Sequence, residues 1–353
     1  MTRIAITCRE EASIWSNGLD QNIYFFLIMF RNMGYRVDLV SENQNAKKLL
    51  NEPIRNLNLK NILDYNLVIE VACPLSKDLV DSFNSKGRPI VSIKLGNNFF
   101  IDLETILFKP NDESRNGTLA PYKNREIWVS PHYFKFKDYI ETISKTNVKE
   151  CPYVWDPVIL NMQENKPSKI SNFEDLKNIA IVEPNLNITK TSITPLIICE
   201  LVYKKNKNLI KNVYSFNSKR LEGKKSFVDF VNMLEIHNDG ISSYENRISI
   251  NEMFYRNIAG TIVSHQMFNE LNYVYLEAIY QNRLLIHNSP YFADAGYYYH
   301  EHDTIQGAEQ LEKGIVDFYT EDKIKESKKY LDIYSINNVN NLRNFRDLIE
   351  GVL

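Results

Sequence analysis

The chain has 353 residues and a mass of 41.3 kDa, a length that suggests two domains of ordinary size. Hydrophobic residues make up 44%, which is enough for packed cores and too much for a disordered chain. Lys plus Arg (42) almost cancel Asp plus Glu (44), so the formal charge of -2 excludes the broad basic field of a general nucleic-acid binder while leaving room for a local anion site. Tyrosine and phenylalanine are abundant, 21 and 18 against only 12 Gly. Cys8, Cys73, Cys151 and Cys199 lie far apart with no CxxC pair, which argues against a zinc knuckle or a disulfide framework and fits a reducing, cytoplasmic setting. The first residues read as a short strand entering a polar loop and not as a signal peptide, and no window approaches 18 uninterrupted apolar residues. No membrane span is expected, and peripheral membrane contact stays open.

Strand and helix signals alternate from the start. A strand is expected over Arg3 to Cys8, a helix over Asn22 to Met33 ending at Gly34, and strands over Tyr35 to Val40, Leu67 to Val71 and Ile90 to Leu95. Trp128 to Ser130 adds a strand before a helix around Phe136 to Ile143. Pro152 and Pro157 then favour an extended connection, and the polar run from Gln163 to Asn172 reads as a linker. A second alternation follows: a strand at Ile179 to Val182, a helix near Pro195 to Lys204, a strand at Ile210 to Tyr214, a helix near Phe227 to Leu234, a strand at Gly260 to Ser264, a helix from about Asn269 to Asn282 and a strand at Leu284 to His287. Leu342, Phe345, Leu348 and Ile349 at helical spacing mark a closing amphipathic helix. The pattern implies two α/β domains with parallel sheets, 1-155 and 156-335, followed by a C-terminal helix over 336-353 that packs back on the first domain. Two doubly wound sheets place ligands at the carboxyl ends of their strands, in a cleft between facing domains.

The candidate site residues sit in loops after strands. The run from Ser264 to Ala278 enters a helix whose N-terminal N–H groups and dipole suit a phosphate, with His265, Asn269, Asn272 and Tyr273 placed to line it. Asn269 reads equally well as a plain helix cap, with Glu270 complementing the dipole. Glu277 lies among Tyr275, Leu276, Ala278 and Ile279, where a carboxylate needs a partner, and a ribose diol is a good one. Lys190, flanked by Thr189 and Thr191 ahead of a helix, suits a diphosphate as one point charge among hydroxyl donors, although a surface lysine is the simpler alternative. Arg247 is a further cation. In the first half, Asn17, Gly18, Gln21 and Asn22 after the first strand, and Lys94 and Asn97 after a later one, supply amides, close backbone approach and one cation suited to a hydroxylated acceptor. There is no GxGxxG, P-loop, GxSxG or HExxH. His300-Glu301-His302-Asp303 lacks a distant partner, so no metal site is expected.

The two-halved plan with a Leu276-Glu277-Ala278 segment in the second half resembles GT-B glycosyltransferases. The runs Ile14 to Gly18, Lys94 to Asn97, Val154 to Pro157, Glu183 to Asn185, Ser264 to Gln266, Leu271 to Tyr273, His287 to Ser289 and Ala295 to Tyr299 are similar, more closely, to a GT-B-like domain-of-unknown-function family of bacteria and large DNA viruses. The resemblance implies a GT-B fold. It also implies that Glu277 matches the ribose-binding glutamate of many retaining enzymes and that Lys190 stands where a basic residue clamps the donor diphosphate. The second glutamate of those enzymes, with seven residues between the two, is replaced here by Asn269, while Glu270 leaves only six between. A metal-independent hexosyl- or pentosyltransferase is therefore expected, taking a UDP- or GDP-sugar as substrate and a glycan or glycoconjugate as acceptor, with no cofactor and no nucleic-acid partner. Asp20, His132 and Glu270 are the catalytic candidates, the first two as bases if the reaction inverts. A nucleotide-sugar epimerase on the same scaffold, or a non-catalytic sugar-binding protein, is the alternative.

Overall fold

A computed structural model describes residues 1–9, 14, 18–71, 73–108, 124–163, 170, 172–317 and 320–353. These fall into two units: Met1–Ile159 with Tyr334–Leu353, and Leu160–Ile333. Each is described by itself.

The first unit carries eight strands: β1 (Arg3–Thr7), β2 (Arg36–Ser41), β3 (Lys48–Leu49), β4 (Glu52–Asn56), β5 (Leu67–Val71), β6 (Ile90–Lys94), β7 (Glu126–Val129) and β8 (Val148–Glu150). Their order is β3-β4-β2-β1-β5-β6-β7-β8, parallel throughout except for the β3–β4 edge hairpin. All five residues of β5 are buried, because helices cover both faces of such a sheet and alternation is lost. The strand order reverses at β1 and β5, and crevices for ligands open at such a switch point, beyond the carboxyl ends of the strands. The helix Gly18–Asn32 buries Phe25, Phe26, Met29 and Phe30. The closing helix Val339–Val352 returns to this unit, setting Phe345 edge-on against Phe26, Phe30 and Trp128 at 5.5, 5.4 and 6.5 Å. The chain leaves and re-enters the unit side by side, where the Trp155 N–H donates to the Tyr334 carbonyl at 2.7 Å.

The second unit has six strands, all parallel: β9 (Asn178–Ile181), β10 (Asn212–Ser215), β11 (Ser242–Tyr244), β12 (Thr261–Val263), β13 (Leu284–His287) and β14 (Tyr297–Tyr298), in the order β11-β10-β9-β12-β13-β14. Ile179, Ile181, Val213, Val263 and Ile286 meet Leu196, Cys199 and Val202 of the helix Ile193–Lys205 and Leu311 and Ile315 of the helix Thr304–Val316 in one core. The switch point here lies between β9 and β12.

Several elements depart from the sequence reading. The helix after β12 is Tyr273–Tyr280, capped by Asn272, whose Oδ1 accepts the Val274 N–H at 3.2 Å. It does not begin at Asn269. Helices Lys77–Asn84, Asn98–Phe108, Thr304–Val316 and Glu321–Ile333 were not read from the sequence. The Asn97-Asn98 pair looks like a turn, yet the Asn97 Oδ1 accepts the Phe100 N–H at 3.3 Å and opens a helix.

Gly296 separates the two kinds of cost a side chain can carry. Its φ is +54° and an added Cβ would lie 2.4 Å from the Leu285 carbonyl oxygen, whereas Gly87, with φ +68°, has nothing within 4 Å. Gly296→Ala is expected to cost roughly 1–3 kcal/mol, and Gly87→Ala only the backbone strain of about 1 kcal/mol or less. Paired thermal melts check this, and equal losses would contradict the packing argument.

Candidate functional site

The switch point of the second sheet gathers most of the residues singled out in that half. Glu183 follows β9 and is only 2% exposed. Its carboxylate accepts the Ser264 hydroxyl at 2.5 Å, the His265 N–H at 3.3 Å and the Gln266 side-chain amide, all from the loop after β12. Burial pushes its pKa up to about 7, against the pull of Ser264, the Lys190 charge and the two remaining donors. The Asn269 amide donates to Gln266 Oε1 at 3.0 Å, so Asn269 belongs to this buried chain of hydrogen bonds instead of capping the helix. Asn288 fixes the same loop from β13: its Oδ1 accepts the Gln266 N–H at 2.9 Å while its Nδ2 donates to the Gln266 carbonyl at 3.0 Å.

The Lys190 loop is built on Asn185, which takes the left-handed conformation (φ +53°) that asparagine tolerates better than most residues. The Asn185 Oδ1 accepts the Ser192 N–H and hydroxyl at 2.8 and 3.0 Å, and the Asn185 N–H donates to the Lys190 carbonyl at 3.1 Å. Thr189 is buried, donates to Asn187 Oδ1 at 2.7 Å, and its carbonyl accepts the Met267 N–H at 2.8 Å. That last bond joins the loops after β9 and β12. Lys190 itself is half-buried, and burial lowers its pKa while Glu183 opposes the shift. Among the described residues its ammonium forms no ion pair.

Two neutral histidines complete the layer. His287 Nε2–H donates to the Ala295 carbonyl at 2.9 Å and its Nδ1 accepts the Ser289 N–H at 3.1 Å, so protonating Nδ1 breaks a buried bond. His265 shares a 2.9 Å hydrogen bond between Nδ1 and the Tyr299 hydroxyl, and its ring lies 4.5 Å from that of His302. Burial depresses both histidines to about 4, with His302 adding to the effect on His265.

Glu277 and Tyr273 are buried on the helix Tyr273–Tyr280, and Asn272 is spent as its cap. Glu270 is tied into the loop through its carbonyl, which accepts the Ser289 hydroxyl at 2.6 Å. Arg247 stands apart from this cluster, after β11, in a groove it shares with Tyr214 and Glu245. Glu183 was not weighed as a site residue from sequence, although a carboxylate directly after the apolar run Ile179 to Val182 is the kind of signal that marks one. Among the described residues no group of three or more His, Cys, Asp or Glu side chains is disposed to hold a metal ion.

In the first unit Asn17 lies outside the described residues. Gly18 opens its helix, the Gln21 amide donates to the Ile14 carbonyl at 3.2 Å, and the Asn22 amide donates back to the Gly18 carbonyl at 2.7 Å. Asp20 is 0% exposed and pairs with Arg9 at 3.0 Å. Lys94 is half-buried, its pKa lowered by burial and supported by Glu70 and Asp102. Glu70 accepts the Leu75 N–H of the next loop at 2.9 Å and the amide of Asn124, just ahead of β7, at 3.0 Å. His132 is buried after β7, with its ring 3.7 Å from that of Tyr133.

The chain belongs to the family described as protein of unknown function (DUF2827), whose model matches residues 3–349. No curated protein sequence matches it. Similar solved structures include an alpha-glucosyltransferase in complex with UDP and a 13-mer DNA containing an HMU base, at 13% identity over 99% of both chains and a TM-score of 0.61. Sucrose-phosphate synthase from Thermosynechococcus elongatus matches at 9% identity over 99% of this chain and 100% of that one, with a TM-score of 0.63. Anabaena HepE in complex with UDP-glucose matches at 10% identity over 99% and 100%, with a TM-score of 0.61. At such identities the likeness is one of fold, and the fold is GT-B.

The titrating groups give this unit a direction in pH. A histidine lowered to about 4 contributes stability that is present above its unfolded value of 6.5 and lost as pH falls toward 4, and two such histidines are buried here. Glu183, raised from 4.5 to about 7, works oppositely: its contribution is complete below 4.5 and lost as pH rises through 7. Within this unit two groups outweigh one, so the Tm of its unfolding transition is expected to drop as pH goes from 6.5 to 4.5. A Tm that holds or climbs over that window would contradict the assignment of buried neutral histidines.

Proposed function

We propose that this DUF2827 protein is a glycosyltransferase that moves a sugar from a nucleoside-diphosphate donor to a hydroxyl of a glycan or glycoconjugate, with the second unit holding the donor. The observation that carries the reading is Lys190. A half-buried ammonium with no ion pair among the described residues sits at the carboxyl end of β9, in a loop bonded to the one after β12. A cation kept there at a desolvation cost suits an anionic ligand, and the switch point is where an open α/β sheet accepts one. The GT-B fold shared with structures that hold UDP or UDP-glucose supports a uridine nucleotide as the donor to test first.

In this reading the bond between the sugar and the diphosphate oxygen breaks while the acceptor oxygen bonds to the sugar carbon. Negative charge grows on the departing diphosphate, where Lys190 and the N-terminal N–H groups of the helix Tyr273–Tyr280 meet it. Glu277 takes the ribose hydroxyls, and Thr189, His265, Asn269 and Tyr273 shape the pocket. These groups supply the stabilisation a divalent ion gives elsewhere, so the transfer is metal-independent. Lys94, Asn97, Gly18, Gln21 and Asn22 serve the acceptor in the first unit. For the base we favour His132 over Asp20, whose carboxylate is engaged by Arg9.

Calorimetric titration with UDP in the presence of EDTA tests this directly. Binding is expected without metal and weakened about 10- to 100-fold by Lys190→Ala and by Glu277→Gln, the loss of one charge-assisted contact each. A folded protein that binds no UDP, or binds it only with a divalent ion, would overturn the assignment.

A further inference from the structure

One face of the outer half of the second sheet lines a groove. On β10, Val213 points into the core beside Leu196 and Phe227, so Asn212 and Tyr214 point the other way, and Ser243 lies beside Tyr214 in register. Doubly wound sheets ordinarily cover both faces. Here this face, with the segment from Glu252 to Ile258 and the loop after β11 as walls, borders a groove of about 620 Å³. That falls within the roughly 300–1,000 Å³ of small-ligand sites.

The groups facing the groove share one chemistry. The half-exposed Tyr214 ring lies 6.3 Å from that of Phe216 at 24°, forming an aromatic floor, and its hydroxyl has no partner among the described residues. Asn212 gives its Nδ2 to Asn178 Oδ1 at 2.8 Å, which leaves its own carbonyl oxygen unused. The Glu245 carboxylate makes no ion pair or hydrogen bond among the described residues. The Asn212 and Glu245 oxygens are acceptors, so a ligand that displaces water from them meets them as a donor, and neutral hydroxyls do so without bringing charge. The cations do not converge on one anion: Lys211 precedes β10 and Arg247 follows β11, at opposite ends of the sheet, while Arg256 is neutralised by Glu252 at 3.0 Å.

We propose that this groove binds a short neutral oligosaccharide, one sugar ring lying on Tyr214 with its hydroxyls donating to Asn212 and Glu245. The site lies outside the Lys190 cluster, and the claim stands or falls by binding whether or not the chain transfers sugar. On a transferase it would retain a glycan between successive transfers.

The test is calorimetric titration of the whole protein with maltotetraose, cellotetraose and chitotetraose, with UDP and a heparin tetrasaccharide as comparators. At least one neutral tetrasaccharide is expected to bind, and Tyr214→Ala to weaken it at least tenfold while leaving UDP affinity unchanged. Glu245→Gln, at a side chain with no hydrogen bond or ion pair among the described residues, guards against a misfolded Tyr214→Ala and is expected to weaken the same sugar at least threefold. Binding by none of the three neutral sugars overturns the proposal. So does tighter binding of the heparin fragment, or a loss of UDP affinity in Tyr214→Ala, which would make the groove a nucleoside site.

Discussion

One buried carboxylate organises the second unit. Glu183 sits where the strand order reverses, with almost no access to water, and a charge in that position survives only if donors surround it. Three donors come from the loop after β12, and the charge of Lys190 from its own loop adds to them. The loops on both sides of the switch point are thereby made into one rigid piece. Asn269 extends the chain of bonds through Gln266, so the segment from Ser264 to the Asn272 cap is set from Glu183 and not from the helix that follows.

The first unit repeats the device. Glu70, on the strand beside its own switch point, is buried, has its pKa raised by burial, holds the following loop through the Leu75 N–H and accepts the Asn124 amide from the segment ahead of β7. Lys94 stands near it with a lowered pKa, as Lys190 stands near Glu183. Each sheet therefore holds a carboxylate that fixes a loop and, near it, a lysine whose pKa is lowered by burial. In both, the carboxylate's hydrogen bonds are consumed by the fold. A fold that meets its ligands at the ends of parallel strands gains from this arrangement, because the loops that touch ligand are stiffened from beneath.

Much of this was legible in the residues. Leu67–Val71 and Leu284–His287 are found where the apolar runs placed them, since continuous runs of Leu, Val and Ile bounded by polar turns fit a strand covered on both faces. The closing helix was visible in the spacing of Leu342, Phe345, Leu348 and Ile349, and Phe345 does pack on Phe26 and Phe30. The start of the helix after β12 was misplaced because Asn269 and Asn272 are equally good caps locally. A tertiary bond to Gln266 decided between them, and such a bond has no local signature. The helix Glu321–Ile333 was overlooked because its sequence, Glu-Asp-Lys-Ile-Lys-Glu-Ser-Lys-Lys, looks like a solvated charge run, although glutamate and lysine are good helix formers and Ser327 is buried on it. Beyond its place after an apolar run, Glu183 carries no distinguishing signal in the sequence, because its importance comes from burial, which only the packed structure reveals.

In the proposed function Lys190 and the helix Tyr273–Tyr280 together hold a diphosphate. A crystal structure of the protein soaked with UDP tests this most directly. Diphosphate density is expected within hydrogen-bonding reach of Lys190 Nζ, with the ribose against Glu277 and no metal ion bridging the phosphates. Density for UDP elsewhere on the chain, or a diphosphate held only through a bound cation, would contradict it.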